Sequence, residues 1–221
     1  MTRRVFQLLI GLVLYGVGIS LMVQAAIGLD PWTVFAQGIS IHTGIGIGWL
    51  SNIIGVFVLL LWIPLRQRPG VGTLLNILII GPSLELGLWL IPQPDGFLWQ
   101  ALMFAAGLLM LAVASGLYIG ANFGPGPRDG LMTGLHARLG WPIWVARSVV
   151  EITVLATGWL LGGNVGIGTL AFALLVGPLC NWTLPMFDTR RKGTSKTSPA
   201  LERELEGTAT SSLVEPDSTQ P

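Results

Sequence analysis

Charge is scarce in this chain: 12 Lys and Arg and 11 Asp and Glu among 221 residues. A charge within an apolar run is therefore a chemical statement. The densest is "GPGPRDG" at 124–130, where Arg128 and Asp129 are adjacent behind two prolines, and "GLDPW" at 28–32 repeats the theme with Asp30 before Pro31. Glu151 lies in a second apolar run with Arg147 one helical turn earlier, and Glu85 in a third. A carboxylate in hydrocarbon costs at least ~2.5 kcal/mol on insertion scales, so Glu151 needs a partner, and Arg147 is available at i,i+4. Such a pair is either a proton or cation site modulated by the guanidinium, or a structural ion pair. Arg147, Glu151 and Glu85 are the candidates for ion coupling.

Proline is tolerated in the first helical turn, where its missing N–H has no partner to lose. Pro31 and Pro127 thus mark helix starts, with Asp30 as the cap of the first and Gly126 capping the second. Asp129 then falls in a first turn, where a carboxylate complements the helix dipole. The two segments, 31–43 and 127–139, are about 20 Å long at 1.5 Å per residue, too short to span a bilayer. Thr33, Gln37 and Ser40 form a polar stripe on the first; Asp129, Thr133 and His136 hold the matching places on the second. Both placements stay open: re-entrant half-helices aiming N–H donors at a polar or anionic solute, or interfacial helices with the stripe in water. On the first placement Asp30, Pro31, Thr33, Gln37, Arg128, Asp129, Thr133 and His136 line a solute site.

The elements that carry these residues follow from composition. With 52% hydrophobic and 10% charged residues and a mean hydropathy of +0.70, the chain is predicted to be an all-α polytopic membrane protein embedded in a lipid bilayer. A net charge of +1 offers no basic surface for nucleic acid. Crossing hydrocarbon takes about 20 apolar residues, which gives six spans near 5–25, 45–65, 71–91, 98–120, 142–162 and 167–187. A signal peptide ending at "VQAA" is set aside, because the apolar run is long and its pattern recurs later. Arg3, Arg4, Arg66, Arg68, Arg128, Arg138, Arg147, Arg190, Arg191 and Lys192 all fall on one side of six alternating spans. Positive residues are retained in the cytoplasm, so both termini are expected there. From about 190 the chain turns to Ser, Thr, Pro, Glu and Lys, which reads as a disordered cytoplasmic tail over 190–221.

Shifting the sequence by 96 positions aligns it with itself: Gly28 falls on Gly124, Pro31 on Pro127, Gly70 on Gly166, Thr73 on Thr169, Gly81 on Gly177 and Pro82 on Pro178. "GVGTLLNILIIGP" and "GIGTLAFALLVGP" are the clearest block. The reading is one membrane repeat over 1–95 and a second over 96–189. Three spans per copy is an odd number, so the second copy enters the membrane upside down: an inverted 3+3 repeat, with six transmembrane helices and the two short ones. Such repeats are frequent in transporters, with the site where the copies meet; channels share them too.

No nucleophile–base set is present, and neither "GxSxG" nor "HExxH" occurs, so an enzyme is not expected. His42 and His136 have no Cys or carboxylate at ligand spacing, so no metal is expected, and the glycines lack the strand–turn–helix context of a cofactor loop. Cys180 stands alone. The stretches "GLDPW", "GIGIG", "GVGT" and "GPGPRDGLMTGLH" resemble signature segments of the YczE-like branch of the YczE/YyaS/YitT group of small bacterial membrane proteins, over about residues 5–187. That resemblance implies the bacterial cytoplasmic membrane and a transport role, with no catalytic residue to carry over. The expectation is a small-solute transporter; the alternatives are an accessory protein docking another membrane protein or a second copy through glycine-rich faces, and a channel.

Overall fold

The structure, a computed structural model, describes residues 2–189; the tail expected over 190–221 lies outside them. Among the described residues there are eight helices and no strand: α1 Thr2–Ala25, α2 Pro31–Thr43, α3 Ile47–Leu65, α4 Val71–Leu90, α5 Phe97–Gly120, α6 Pro127–Leu139, α7 Ile143–Leu160 and α8 Ile167–Phe187. Six are long and apolar enough to cross a membrane, all except α2 and α6. Large apolar side chains point outward along these six, with Trp89 and Leu160 each 81% exposed, which suits lipid and would be ruinous in water. The all-helical, six-span membrane fold is as the sequence predicts.

α1 and α5 form the centre. Leu8, Leu12, Ile19 and Met22 of α1 are at most 1% exposed, against Leu108 and Leu111 of α5. Glycines permit the close crossing: a Cβ at Gly18 would sit 3.0 Å from the Gly107 carbonyl oxygen, and one at Gly107 2.7 Å from that of Gly18. Small residues are what lets helices approach where lipid supplies no hydrophobic drive. α4 packs on α1 and α8 on α5, while α2 lies along α7 and α6 along α3.

The contacts recur at the offset of 96. Gly72 N donates to Phe123 O and Gly168 N to Ile27 O, both at 2.9 Å. Thr73 Oγ1 bonds Pro125 O at 2.7 Å, and Thr169 Oγ1 accepts from Leu29 N at 3.1 Å. The chain leads into α2 and α6 through Gly28 at φ +130° and Gly124 at φ +120°, a region open in practice only to glycine. One pairing exchanges its sizes. Val34 of α2 lies against Gly158 of α7, whereas at the equivalent crossing Gly130 of α6 lies under the indole of Trp62 on α3. A second difference is larger. α3 and α4 close on each other, with Gly48 against the Gly81 carbonyl; their counterparts α7 and α8 do not pack along one another, Trp144 standing in the place of Gly48 and Gly177 having open space around it.

Candidate functional site

α2 and α6 begin at the same place and end far apart. The carboxyl end of α2 reaches the end of α7, where His42 Nε2 donates to Leu161 O at 3.1 Å. That of α6 reaches the end of α3, where Arg138 donates to Pro64 O at 3.1 Å. Their amino ends meet: Arg128, second residue of α6, places Nη1 3.7 Å from Oδ1 of Asp30, the cap of α2. Asp30 Oδ1 accepts from Thr33 N at 3.2 Å, as a capping carboxylate should. Trp62, 2% exposed, donates its indole N–H to Pro127 O at 3.0 Å and so pins the start of α6.

A cavity of about 200 Å³ opens beside this junction. Asp30, Pro31, Arg128 and Asp129 line it, as do Arg147 and Glu151 of α7. The Arg128 guanidinium lies over the Trp32 ring, 5.0 Å from its centroid. Asp129 Oδ2 accepts from the Tyr118 hydroxyl at 2.8 Å, and Arg147 Nε donates to Glu151 Oε1 at 3.0 Å. The ion pair expected from i,i+4 spacing therefore exists, and it faces the cavity. On the residues lining the cavity, two buried side-chain atoms lack a hydrogen-bond partner among the described residues: Asp30 Oδ2 and Ser51 Oγ. A buried polar atom without a hydrogen bond is costly.

The remaining candidates lie elsewhere. Gln37 Oε1 accepts from Asn164 N at 2.7 Å, tying α2 to the loop before α8. Thr33 is fully buried, its hydroxyl without a partner among the described residues, and it is not part of the cavity lining. Thr133 bonds back to Gly130 O, and His136 Nδ1 to Trp141 O at 2.6 Å; both are exposed. Glu85 Oε2 accepts from Gly48 N at 2.9 Å, capping the first turn of α3, and is not part of the cavity lining that holds Glu151. Sequence reasoning passed over the two tyrosines, Tyr15 and Tyr118, which meet edge to face at 5.8 Å on the cavity wall. Their rarity was the available signal, since the chain has only these two. Ser51 and Ser115, which also line the cavity, gave none.

At one end of the bundle the start of α1, the ends of α3, α5 and α8 and the start of α4 come together: Arg4 Nε donates to Ala121 O at 3.0 Å and Gln7 to Phe187 O at 2.8 Å. Arg4, Arg66, Arg68 and Arg138 belong to this end. At the other, Gln24 reaches Leu88 O and Asn164 reaches Ala26 O, and its loops carry no Lys or Arg.

Compared with known proteins, residues 2–185 match the model of a family described as a family of unknown function, DUF6198. An uncharacterized protein of Haemophilus influenzae is 41% identical over 177 residues, 80% of this chain and 81% of that protein. The uncharacterized membrane protein YczE of Bacillus subtilis is 31% identical over 79% of this chain and 82% of its own length. YyaS of the same organism is 26% identical over 81% and 91%. No solved structure matches.

Proposed function

The chain belongs to the DUF6198 family, and from that premise we propose that it is a small-solute transporter whose polar site lies between two inverted repeats. One observation carries the reading. Two half-length helices from equivalent places in the two halves meet amino end to amino end at a cavity that holds five charged side chains. Polar backbone at membrane depth is tolerated where protein or water satisfies it, and helix amino ends offer donors to a bound group.

The unequal seams support movement. α3 and α4 are closed, whereas α7 and α8, which carry Arg147, Glu151 and Cys180, leave the cavity flanked by an unclosed seam. Transport requires access from alternate sides, and a change in the α7–α8 approach would supply it, with the Arg147–Glu151 pair positioned to respond to a proton or cation. The positive end of the bundle is assigned to the bacterial cytoplasm, with both termini there, and the role involves no bond making.

The test is a screen of the purified protein for solute-dependent thermal stabilisation, which binding to the folded state requires, followed by counterflow of each hit in proteoliposomes. Exchange that is lost in Arg128→Ala and Asp129→Asn supports the proposal. Stabilisation and exchange that both survive those substitutions would remove the site, and absence of exchange for every hit would remove transport.

A further inference from the structure

Of the five charged side chains at the cavity, three have their main partner already. Asp129 takes the Tyr118 hydroxyl, and Arg147 and Glu151 take each other. The other two, Asp30 and Arg128, stand 3.7 Å apart, beyond hydrogen-bond reach. Asp30 is 4% exposed and keeps Oδ2 unpaired. The Arg128 guanidinium makes its ion pair and its stacking on Trp32 but donates no hydrogen bond among the described residues. Ser51, 9% exposed with its Oγ buried and also unpaired, lines the same space.

An acceptor and a donor fork side by side call for the converse in a ligand. We infer that the cavity binds a small zwitterion of free α-amino-acid type, its ammonium on Asp30 Oδ2 and Ser51 Oγ and its carboxylate on the Arg128 fork. A cation alone leaves the guanidinium N–H groups unfilled. An anion alone leaves Asp30 Oδ2 bare and faces the carboxylates of Asp30, Asp129 and Glu151. A guanidinium fork matches carboxylate geometry in two bonds at once, and an ammonium gives three donors. The volume of about 200 Å³ is below the roughly 300–1,000 Å³ of drug-sized sites, and Ile54, Val58 and Met132 provide an apolar wall for a short aliphatic side chain.

The assignment rests on the transport reading only for the purpose of binding, and the test separates them. Purified full-length protein is titrated by calorimetry with glycine, alanine, serine, valine and leucine, with the amides of the same amino acids as cations, and with propionate and isovalerate as anions. The expected result is binding of at least one amino acid about tenfold or more tighter than its amide and than the simple carboxylates, the size of one lost charge-assisted bond. Arg128→Gln should then abolish the preference over the amide, and Asp30→Asn, which keeps the capping oxygen, the preference over the carboxylate. Equal or tighter binding of the amide or the carboxylate overturns the inference, and so does binding of none of the set. These wild-type comparisons stand even if a variant misfolds. Amino-acid binding without counterflow would sink transport and leave the ligand class; counterflow of an amine or an anion alone would do the reverse.

Discussion

Thr73 and Thr169 hold the chain segments that deliver α2 and α6 to the cavity, so replacing each with valine, which keeps the shape and deletes the hydroxyl, probes the architecture directly. Thr73 Oγ1 donates to Pro125 O at 2.7 Å and accepts from Gly70 N at 3.1 Å, on a residue that is 0% exposed. Thr169 Oγ1 accepts from Leu29 N at 3.1 Å and Gly166 N at 3.3 Å and is 4% exposed. Hydrogen bonds in membrane proteins average about 0.6 and reach about 1.7 kcal/mol. Two per hydroxyl give roughly 1–3 kcal/mol for each variant. The two sites share no partner, so the double variant should lose about the sum. Reversible unfolding in mixed detergent micelles, followed by tryptophan fluorescence, reads the loss. A change under about 0.5 kcal/mol in either variant would mean that the hydroxyl does not secure its segment, and a several-fold difference between them would break the equivalence of the halves.

Gly130→Ala drives a methyl into the Trp62 indole and should destabilise by about 1–3 kcal/mol as overpacking does; unfolding midpoints measure it, and Trp62→Leu in the same chain should recover part of the loss. Gly28→Ala and Gly124→Ala force a side chain into backbone at φ +130° and +120°. Each should cost about 1–3 kcal/mol, seen as a lower melting temperature or lost monodispersity, whereas Gly177→Ala, with open space around it, should change little. Cys180 lines the cavity and is the chain's one thiol, so a small methanethiosulfonate reagent should modify it in the folded protein, and a bound solute should slow that reaction; a rate independent of any stabilising solute would separate the thiol from the site.

Local physics wrote much of this molecule into its sequence. The six long helices follow from uninterrupted apolar length, because the cost of bare backbone in hydrocarbon leaves little choice but helix. The starts of α2 and α6 follow from proline in the first turn behind Asp30 or Gly126, and their ends from Gly44 and Gly140 at φ near +70°, all of which act within a single turn. The Arg147–Glu151 pair was legible for the same reason, since one helix fixes both residues. The pairings between helices were not. Asp30 meets Arg128, and Asp129 meets Tyr118, across contacts between separate helices that no single helix fixes. The stripe on α2 and α6 is a property of one helix face, but that face touches several neighbours, so Gln37 went to Asn164 and His136 to Trp141. Glu85 likewise caps α3 because Gly48 lets it come close. Periodicity can say which residues share a face; only the packing of one helix on another decides what that face meets.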